Sequence, residues 1–317
     1  GVAGGAGWWG GGRLAAVGRM AATGVFELGG RRDVAGVAVS DAGPEAGSSA
    51  SVTGDLGQIQ VTAEGNGAGL MGKGEAQLRP FAPIKIAGLH LAVNGLNPQV
   101  FSPGAHKANI TLEDDLRENA DGQLEGSLTG KNSATMPLDQ GGLPLLEVSA
   151  QPVLSSAWLR LDALTLVMPG GGTISGILVW QHKQGTASAD LVVSRIDPAR
   201  LDTRLSPASI NGTMKLSGDA KEQQGILALR DRKLQMDIVF AKAGDTLTLN
   251  RMYLGHGRSV LRGEGKLVLN GQRPFNFEGS LHHFDVSAFV KIPPTDLNAT
   301  LKLAGELEPG PAAGATG

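Results

Sequence analysis

The feature that most constrains this chain is a two-residue alternation of apolar and polar side chains, which recurs over most of its length. The run Leu234–Phe240 places an apolar residue at every second position, and Leu297–Leu303 repeats the pattern near the end of the sequence. Successive side chains of a β-strand point to opposite faces of the sheet. Each run therefore predicts a strand with one apolar face and one polar face.

Turn-forming dipeptides separate these runs at intervals of roughly 8–12 residues, the spacing typical of consecutive hairpins. They are Asn94-Gly95, Asp121-Gly122, Asn211-Gly212, Gly244-Asp245 and Asn270-Gly271. Helical periodicity is confined to two short segments, 199–205 and 286–290. The sequence therefore predicts an all-β fold of successive antiparallel hairpins with few short helices.

Three predicted strands end in similar turns, which indicates a repeat unit of about 90–100 residues. The turns are Leu96-Asn97-Pro98, Ile196-Asp197-Pro198 and Phe284-Asp285-Val286. We divide the chain into a weakly patterned Gly/Ala-rich segment (1–57), a repeating β-groove region (58–307) and a flexible tail (308–317). The Gly-rich start and the Pro/Ala/Gly-rich end favour an internal segment of a longer protein.

Composition argues against several classes of function. The 28 Lys and Arg nearly balance the 30 Asp and Glu, so the strong basic excess of a nucleic-acid-binding protein is missing from the sequence. No Cys occurs among the 317 residues, which excludes disulfides and thiolate metal sites. No apolar stretch of the sequence is long enough to predict a transmembrane helix.

Candidate reactive motifs are weak. The segment Gly67–Gly72 matches a dinucleotide-binding glycine pattern, but no helical periodicity follows it. The acidic run Glu113-Asp114-Asp115 follows a predicted strand, so we expect it in a solvated loop. The six His show no metal-ligand spacing, and no serine nucleophile motif is found. We therefore expect no enzyme, no cofactor and no metal site.

The apolar stripe is the remaining candidate for function. It could form the packed core of a sandwich or barrel, but aromatic side chains are only 4% of the sequence and no closing pattern is visible. An open sheet would instead present a continuous aliphatic surface, which can hold acyl chains at about 0.8 kcal/mol per methylene. We predict that this lipid-binding groove is lined by Leu89, Leu91, Val93, Ile110, Leu112, Leu164, Leu166, Leu178, Leu234, Met236, Ile238, Phe240, Leu247 and Leu249.

An ordered series of short motifs resembles the TamB family, the translocation and assembly module subunit within the AsmA-like, repeating β-groove proteins. The resemblance covers about residues 78–307, and at Asp285-Val286 the usual proline is replaced. The motifs that carry it are Arg79–Pro83, Leu96–Pro98, Phe101–Ala105, Leu124–Asn132, Pro137–Asp139, Leu143–Leu145, Phe275–Gly279, Phe284–Ser287 and Leu301–Gly305.

The resemblance implies an elongated, taco-like β-groove that crosses the periplasm. It implies an inner-membrane anchor supplied by an N-terminal helix outside this segment, and an outer-membrane barrel partner similar to TamA. The implied role is movement of phospholipids between the two membranes, assistance to outer-membrane protein assembly, or both. The alternative is a scaffold on which outer-membrane or autotransporter proteins add strands to an exposed sheet edge.

Overall fold

The computed structural model describes residues 17–20, 26–29, 47–54, 57–67, 69–79, 81, 86–100 and 104–307. Within these residues the chain forms nineteen β-strands, one four-residue α-helix and three short 3-10 helices. The residues group into two units, one comprising 1–134 and 151–156 and the other 135–150 and 157–317. We call them unit 1 and unit 2 and describe each by itself.

Unit 1 consists of short early strands followed by a meander, in which each strand pairs with the next along the chain. Strands β3 to β8 follow one another in antiparallel ladders, and β1 pairs with β2. The strands are β1 Val17–Met20, β2 Phe26–Gly29, β3 Gly47–Gly54, β4 Ile59–Gly67, β5 Leu70–Leu78, β6 Ile86–Leu96, β7 Ile110–Glu118 and β8 Leu124–Asn132.

Unit 2 contains a longer meander, and strand β9 (Glu147–Leu154) has residues in both units. Strands β10 to β19 pair in chain order, always antiparallel. They are β10 Leu159–Val167, β11 Thr173–Gln181, β12 Thr186–Ile196, β13 Ile210–Gly218, β14 Glu222–Arg230, β15 Leu234–Ala243, β16 Thr246–His256, β17 Ser259–Val268, β18 Pro274–Phe284 and β19 Leu297–Glu306.

The predicted fold class is confirmed: the chain is all-β and its strands form open antiparallel sheet, as a β-groove requires. In neither unit does a described ladder join the first strand of the meander to the last. The predicted flexible tail (308–317) lies outside the described residues. The segment predicted to be weakly patterned, 1–57, contains β1, β2 and β3.

Helical structure is restricted to short turns. The predicted helix 199–205 corresponds to α1 (Pro198–Leu201), and the predicted helix 286–290 to a 3-10 helix at Val286–Ala288. Two further 3-10 helices span Pro98–Val100 and Leu138–Gln140. Among the described residues, no helix has both the length and the apolarity needed to span a bilayer.

β-Bulges bend the strands of unit 2. The ladder register shifts between Leu161 and Leu164 in β10, between Val193 and Ile196 in β12, and between Leu281 and Phe284 in β18. The bulges contain Ala163, Arg195 and His283, which adopt positive φ angles of 47°, 52° and 44°. A bulge increases the local twist and bends its strand, so these positions curve the sheet.

The three similar turns seen in the sequence share one hydrogen-bond arrangement. The side chains of Asn97, Asp197 and Asp285 each accept a hydrogen bond from the backbone N–H two residues later, at the start of a short helix. Each also accepts one from a residue ten or eleven positions later: Ala108, Ala208 and Thr295. The turn after Asn97 belongs to unit 1 and the other two belong to unit 2, so both units are built from the same repeated feature.

Three local predictions are wrong. Asn94-Gly95 and Asn211-Gly212 are not hairpin turns but lie within β6 and β13. Gly95 has a φ of 78° at a register shift, and the Asn211 side chain accepts a hydrogen bond from the N–H of the bulge residue Arg195. The acidic run at 113–115 is not a loop either, because it lies inside β7, which pairs with strands on both sides.

Candidate functional site

The ladder register of unit 2 assigns every strand residue to one of two faces, because directly paired residues in adjacent strands share a face. One face is apolar across all strands from β10 to β19. We call it the apolar face. Its large apolar side chains are Leu159, Leu161, Leu164, Leu166, Ile174, Leu178, Trp180, Leu191, Val193, Ile196, Ile210, Met214, Leu216, Leu227, Leu229, Leu234, Met236, Ile238, Phe240, Leu247, Leu249, Met252, Leu254, Leu261, Leu267, Phe275, Phe277, Leu281, Phe284, Leu297, Leu301 and Leu303.

The predicted groove residues of unit 2 all lie on this apolar face. One ladder pair connects two of them directly, because Phe240 pairs with Leu249. The predicted residues that share the face are Leu164, Leu166, Leu178, Leu234, Met236, Ile238, Phe240, Leu247 and Leu249.

The five predicted groove residues of unit 1 also share one face of their own sheet. Leu89, Leu91 and Val93 alternate along β6, Val93 pairs with Leu112, and Ile110 follows on the same face after the bulge. Their neighbours on β5 are Gly72, Gly74 and Ala76. This face is therefore apolar but lined with smaller side chains than the apolar face of unit 2.

Asp114 is the exception within unit 1. It pairs with Leu91 and lies between Leu112 and Leu116 along β7, but its carboxylate bends back to accept a hydrogen bond from the Leu91 N–H at 2.6 Å. The Asp114 backbone carbonyl is 2.8 Å from Nδ1 of His90. Partial burial raises the pKa of Asp114, partly offset by the hydrogen bond from Leu91.

The opposite face of unit 2 is mainly polar and carries cross-strand ion pairs. Lys215 lies 3.3 Å from Asp190, and Lys302 lies 3.1 Å from Glu278. Three apolar side chains, Ile177, Val192 and Ile226, are exposed on the same face. We call it the polar face, and its ion pairs contribute little to stability because they are solvated.

The two ends of the strands in unit 2 differ. At one end the connections are tight turns, at 182–185, 219–221, 244–245 and 269–273. At the other end lie the long connections 197–209 and 285–296, with short turns between them. We call these ends the turn rim and the loop rim.

The long connections of the loop rim are hydrogen-bonded to one another. The Ser206 N–H donates to the Phe289 carbonyl at 2.9 Å, and the Lys291 N–H donates to the Arg204 carbonyl at 3.2 Å. Thr203 is bonded through both its N–H and its hydroxyl to the carboxylate of Asp139, in the connection before β9. Three connections are thus linked in series.

Carboxylates of the loop rim are held in their charged form. Hydrogen bonds from Arg204 lower the pKa of Asp202 to about 2, and hydrogen bonds from Thr203 lower the pKa of Asp139. The backbone N–H of Thr295 is the largest cause that lowers the pKa of Asp285. These bonds favour the ordered loop rim at pH values above the usual carboxylate range.

Burial on the apolar face is concentrated beneath the loop rim. Val193, Ile196 and Ile210 form a buried cluster, against which Leu201 of α1 packs from the loop side. Phe284 is only 6% exposed, and its ring stacks on that of Phe289 with centroids 5.4 Å apart. This end of the apolar face therefore has a packed core.

Toward the turn rim the apolar face opens into a cavity of about 480 Å³. We call it the apolar cavity. Its volume lies within the range of about 300–1,000 Å³ typical of small-molecule sites. Its apolar lining side chains are only half-buried apart from the exposed Leu307, so they remain accessible. They are Ile238, Phe240, Leu247, Leu249, Leu267, Phe275, Phe277 and Leu307.

Four of these lining residues, Ile238, Phe240, Leu247 and Leu249, are predicted from the sequence, and the other four are not. Leu267, Phe275 and Phe277 lie on β17 and β18, where glycine interrupts the apolar alternation. A Cβ at Gly263 or Gly279 would overlap the ring of Phe277. The aromatic ring thus covers glycine positions on its own and the neighbouring strand, which becomes visible only when the register is known.

The reactive motifs considered in the sequence acquire no supporting geometry. Strand β4 ends at Gly67 and β5 begins at Leu70, so a strand follows this glycine segment and not the helix that would receive a dinucleotide phosphate. In the described part of the chain, no three His, Asp or Glu side chains come together to hold a metal ion. The apolar face offers dispersion contacts to apolar groups.

No protein-family model matches this chain, and neither a curated protein nor a solved structure gave a match. The resemblance to the TamB family stays a prediction.

Proposed function

We propose that the apolar face of unit 2 binds the acyl chains of phospholipids and that the chain is a hydrophobic β-groove conduit rather than an enzyme. The observation that carries the proposal is the apolar cavity, an accessible space of about 480 Å³ on a face that is apolar over ten consecutive strands. A packed core would bury these side chains, whereas here burial is concentrated under the loop rim.

The chemistry of the lining favours a flexible aliphatic ligand. Leucine, isoleucine and phenylalanine side chains offer dispersion contacts without fixing a direction. Each methylene that enters the cavity contributes about 0.8 kcal/mol. Because affinity then grows with chain length and not with a particular polar contact, an acyl chain could slide from one strand to the next.

The physiological setting follows from the resemblance to the TamB family. On this proposal the chain moves phospholipids between the inner and outer membranes across the periplasm, held by an inner-membrane anchor and joined to a TamA-like barrel. Assistance to outer-membrane protein assembly belongs to the same proposal.

Site-specific photocrosslinking tests acyl-chain binding. Leu249 and Thr248 are adjacent on β16 and both half-buried, but the register places them on opposite faces. With a benzophenone amino acid at position 249, we expect crosslinks to phospholipid from vesicles of phosphatidylethanolamine and phosphatidylglycerol. At position 248 we expect few or none. Mass spectrometry of the crosslinked chain measures both yields.

Equal yields at the two positions would contradict the proposal, because they would indicate non-specific contact with the vesicle surface. The same conclusion would follow if neither position crosslinked lipid and native mass spectrometry of the purified chain detected no bound phospholipid.

A second function, strand addition to a sheet edge, is favoured by the pairing and exposure of β19. Within unit 2, β19 pairs only with β18, and nine of its ten residues are exposed. An extended segment of an outer-membrane or autotransporter protein could add to this exposed strand by backbone pairing. On this second proposal the chain is a scaffold for protein translocation and assembly.

Proline substitution of residues 299 to 303, one at a time, tests the scaffold. Along an antiparallel strand every second N–H points away from its partner, so alternate variants should keep the β18 ladder and the unfolding midpoint. In those folded variants we expect weaker capture of an outer-membrane barrel polypeptide diluted from urea. Unchanged capture in every folded variant would contradict strand addition at this edge.

A further inference from the structure

Lys242 is anomalous on the apolar face. The register pairs it with Leu247 on β16 and with Gln223 on β14, and it follows Phe240 by two residues on β15. The other polar side chains on the strands of this face are Gln223, His256 and Ser259. In the described strands β10 to β19, Lys242 is thus the only lysine, arginine or carboxylate on the apolar face.

Lys242 lies beside the apolar cavity, next to residues that line it. Its ladder partner Leu247 and its strand neighbour Phe240 both line the cavity. Two residues along a strand correspond to about 7 Å, so the ammonium lies close to the space that an acyl chain would fill. Lys242 is near the end of β15, at the turn rim, where a polar group can remain in contact with water.

Among the described residues, the ammonium of Lys242 has no partner. No ion pair or hydrogen bond of its side chain is found among the described residues, whereas Lys215 and Lys302 on the polar face both pair with carboxylates. Glu222 directly precedes Gln223, the ladder partner of Lys242, but Glu222 pairs with Ala243 and so lies on the polar face. A lysine can cover apolar surface with its methylene stem and present its charge at the edge.

We propose that Lys242 binds the phosphate of an anionic phospholipid whose acyl chain occupies the apolar cavity. This inference rests on the proposed acyl-chain binding and adds a head-group preference to it. The ammonium supplies the countercharge beside the cavity, and the cavity supplies the apolar contact. A zwitterionic head group gains less from the same site, because its own cation competes for the phosphate.

The test compares binding of lysophosphatidylglycerol and lysophosphatidylcholine of equal chain length, below their micelle concentrations, by titration calorimetry. The full chain is expected to prefer the anionic lipid by about fivefold at low salt, the ratio for one solvent-screened ion pair. Lys242→Gln should remove the preference without weakening lysophosphatidylcholine binding, and Lys242→Arg should retain it. The preference should be smaller in 0.5 M salt, because the Debye length there is only about 4–5 Å.

Lys302→Gln is the matched control, because Lys302 pairs with Glu278 on the polar face and does not line the apolar cavity. It should keep the preference. A preference that persists in Lys242→Gln, or equal affinities in the unaltered chain, overturns the head-group site while leaving acyl-chain binding intact. If inorganic phosphate competed at the same concentration as the lipid, the phosphate site would be independent of the cavity. That result would also overturn the head-group site. Failure of both lipids to bind overturns the proposed function itself.

Discussion

Ile238→Asp is expected to reduce phospholipid binding at least tenfold while the sheet still folds. Ile238 lies in the middle of β15 and lines the apolar cavity, with Leu227 and Met252 as its ladder partners. A carboxylate there would have to lose its water when an acyl chain enters, and burying an unpaired charge costs several kcal/mol. A loss of only about 1.4 kcal/mol in binding free energy already gives a factor of ten.

Two variants distinguish the effect of the added charge on lipid binding from the effects of lost side-chain volume and of disturbed folding. Thr248→Asp places the same charge on the neighbouring strand but on the polar face, opposite Ala241, and should leave binding unchanged. Ile238→Ala removes volume without adding charge and should weaken binding less than the aspartate does. Binding is measured by transfer of a fluorescent phospholipid from vesicles, and folding by circular dichroism and urea unfolding.

Wild-type lipid transfer by a folded Ile238→Asp chain would remove the main support for the conduit. An equal loss in Thr248→Asp would show that any added charge near this rim disturbs the chain, and the face assignment would then explain nothing.

The part of the fold that the sequence predicts well is the part specified by local alternation. The run Leu234–Phe240 defines β15 and its apolar face without knowledge of any neighbouring strand, because residues two apart in a strand lie on the same face of the sheet. The turns at 121–122, 244–245 and 270–271 were likewise predictable, since they connect strands with few residues. These features depend on residues within one strand or one hairpin.

The features that could not be predicted depend on partners distant in sequence. Asn211-Gly212 has the composition of a hairpin turn, but the Asn211 amide instead accepts a hydrogen bond from Arg195 in the bulge of β12. The acidic run at 113–115 has low strand propensity, and it remains in β7 because ladders with β6 and β8 run along both sides. Tertiary pairing overrides local preference in both cases.

The residues of the candidate site divide in the same way, into those predictable from one strand and those that depend on neighbouring strands. Ile238, Phe240, Leu247 and Leu249 stand in clean alternation and were found, whereas the glycine-rich strands β17 and β18 conceal Leu267, Phe275 and Phe277. Lys242 continues the alternation two residues after Phe240, but only the register shows that it pairs with Leu247 on β16 and so stands beside the cavity.

Phe284→Ala is expected to lower the free energy of unfolding of the chain by about 3 kcal/mol, at the lower end of the range for buried Phe→Ala substitutions. The Phe284 side chain is 6% exposed and stacks on Phe289 of the connection 285–296. Its loss would leave a cavity under the loop rim and remove the contact that holds this connection over the apolar face. Urea unfolding followed by circular dichroism measures the change.

Phe277→Ala is the matched comparison, because Phe277 has the same chemistry and lies on the same strand and the same face, but at the apolar cavity. Phe277 is only half-buried, so its truncation should cost less stability than that of Phe284. It should weaken phospholipid binding more, because it removes ring surface that an acyl chain would contact. The apolar face would then consist of a structural half under the loop rim and a binding half near the turn rim. If the two variants lost stability and binding in equal proportion, that division would be wrong, and the whole face would act as one core.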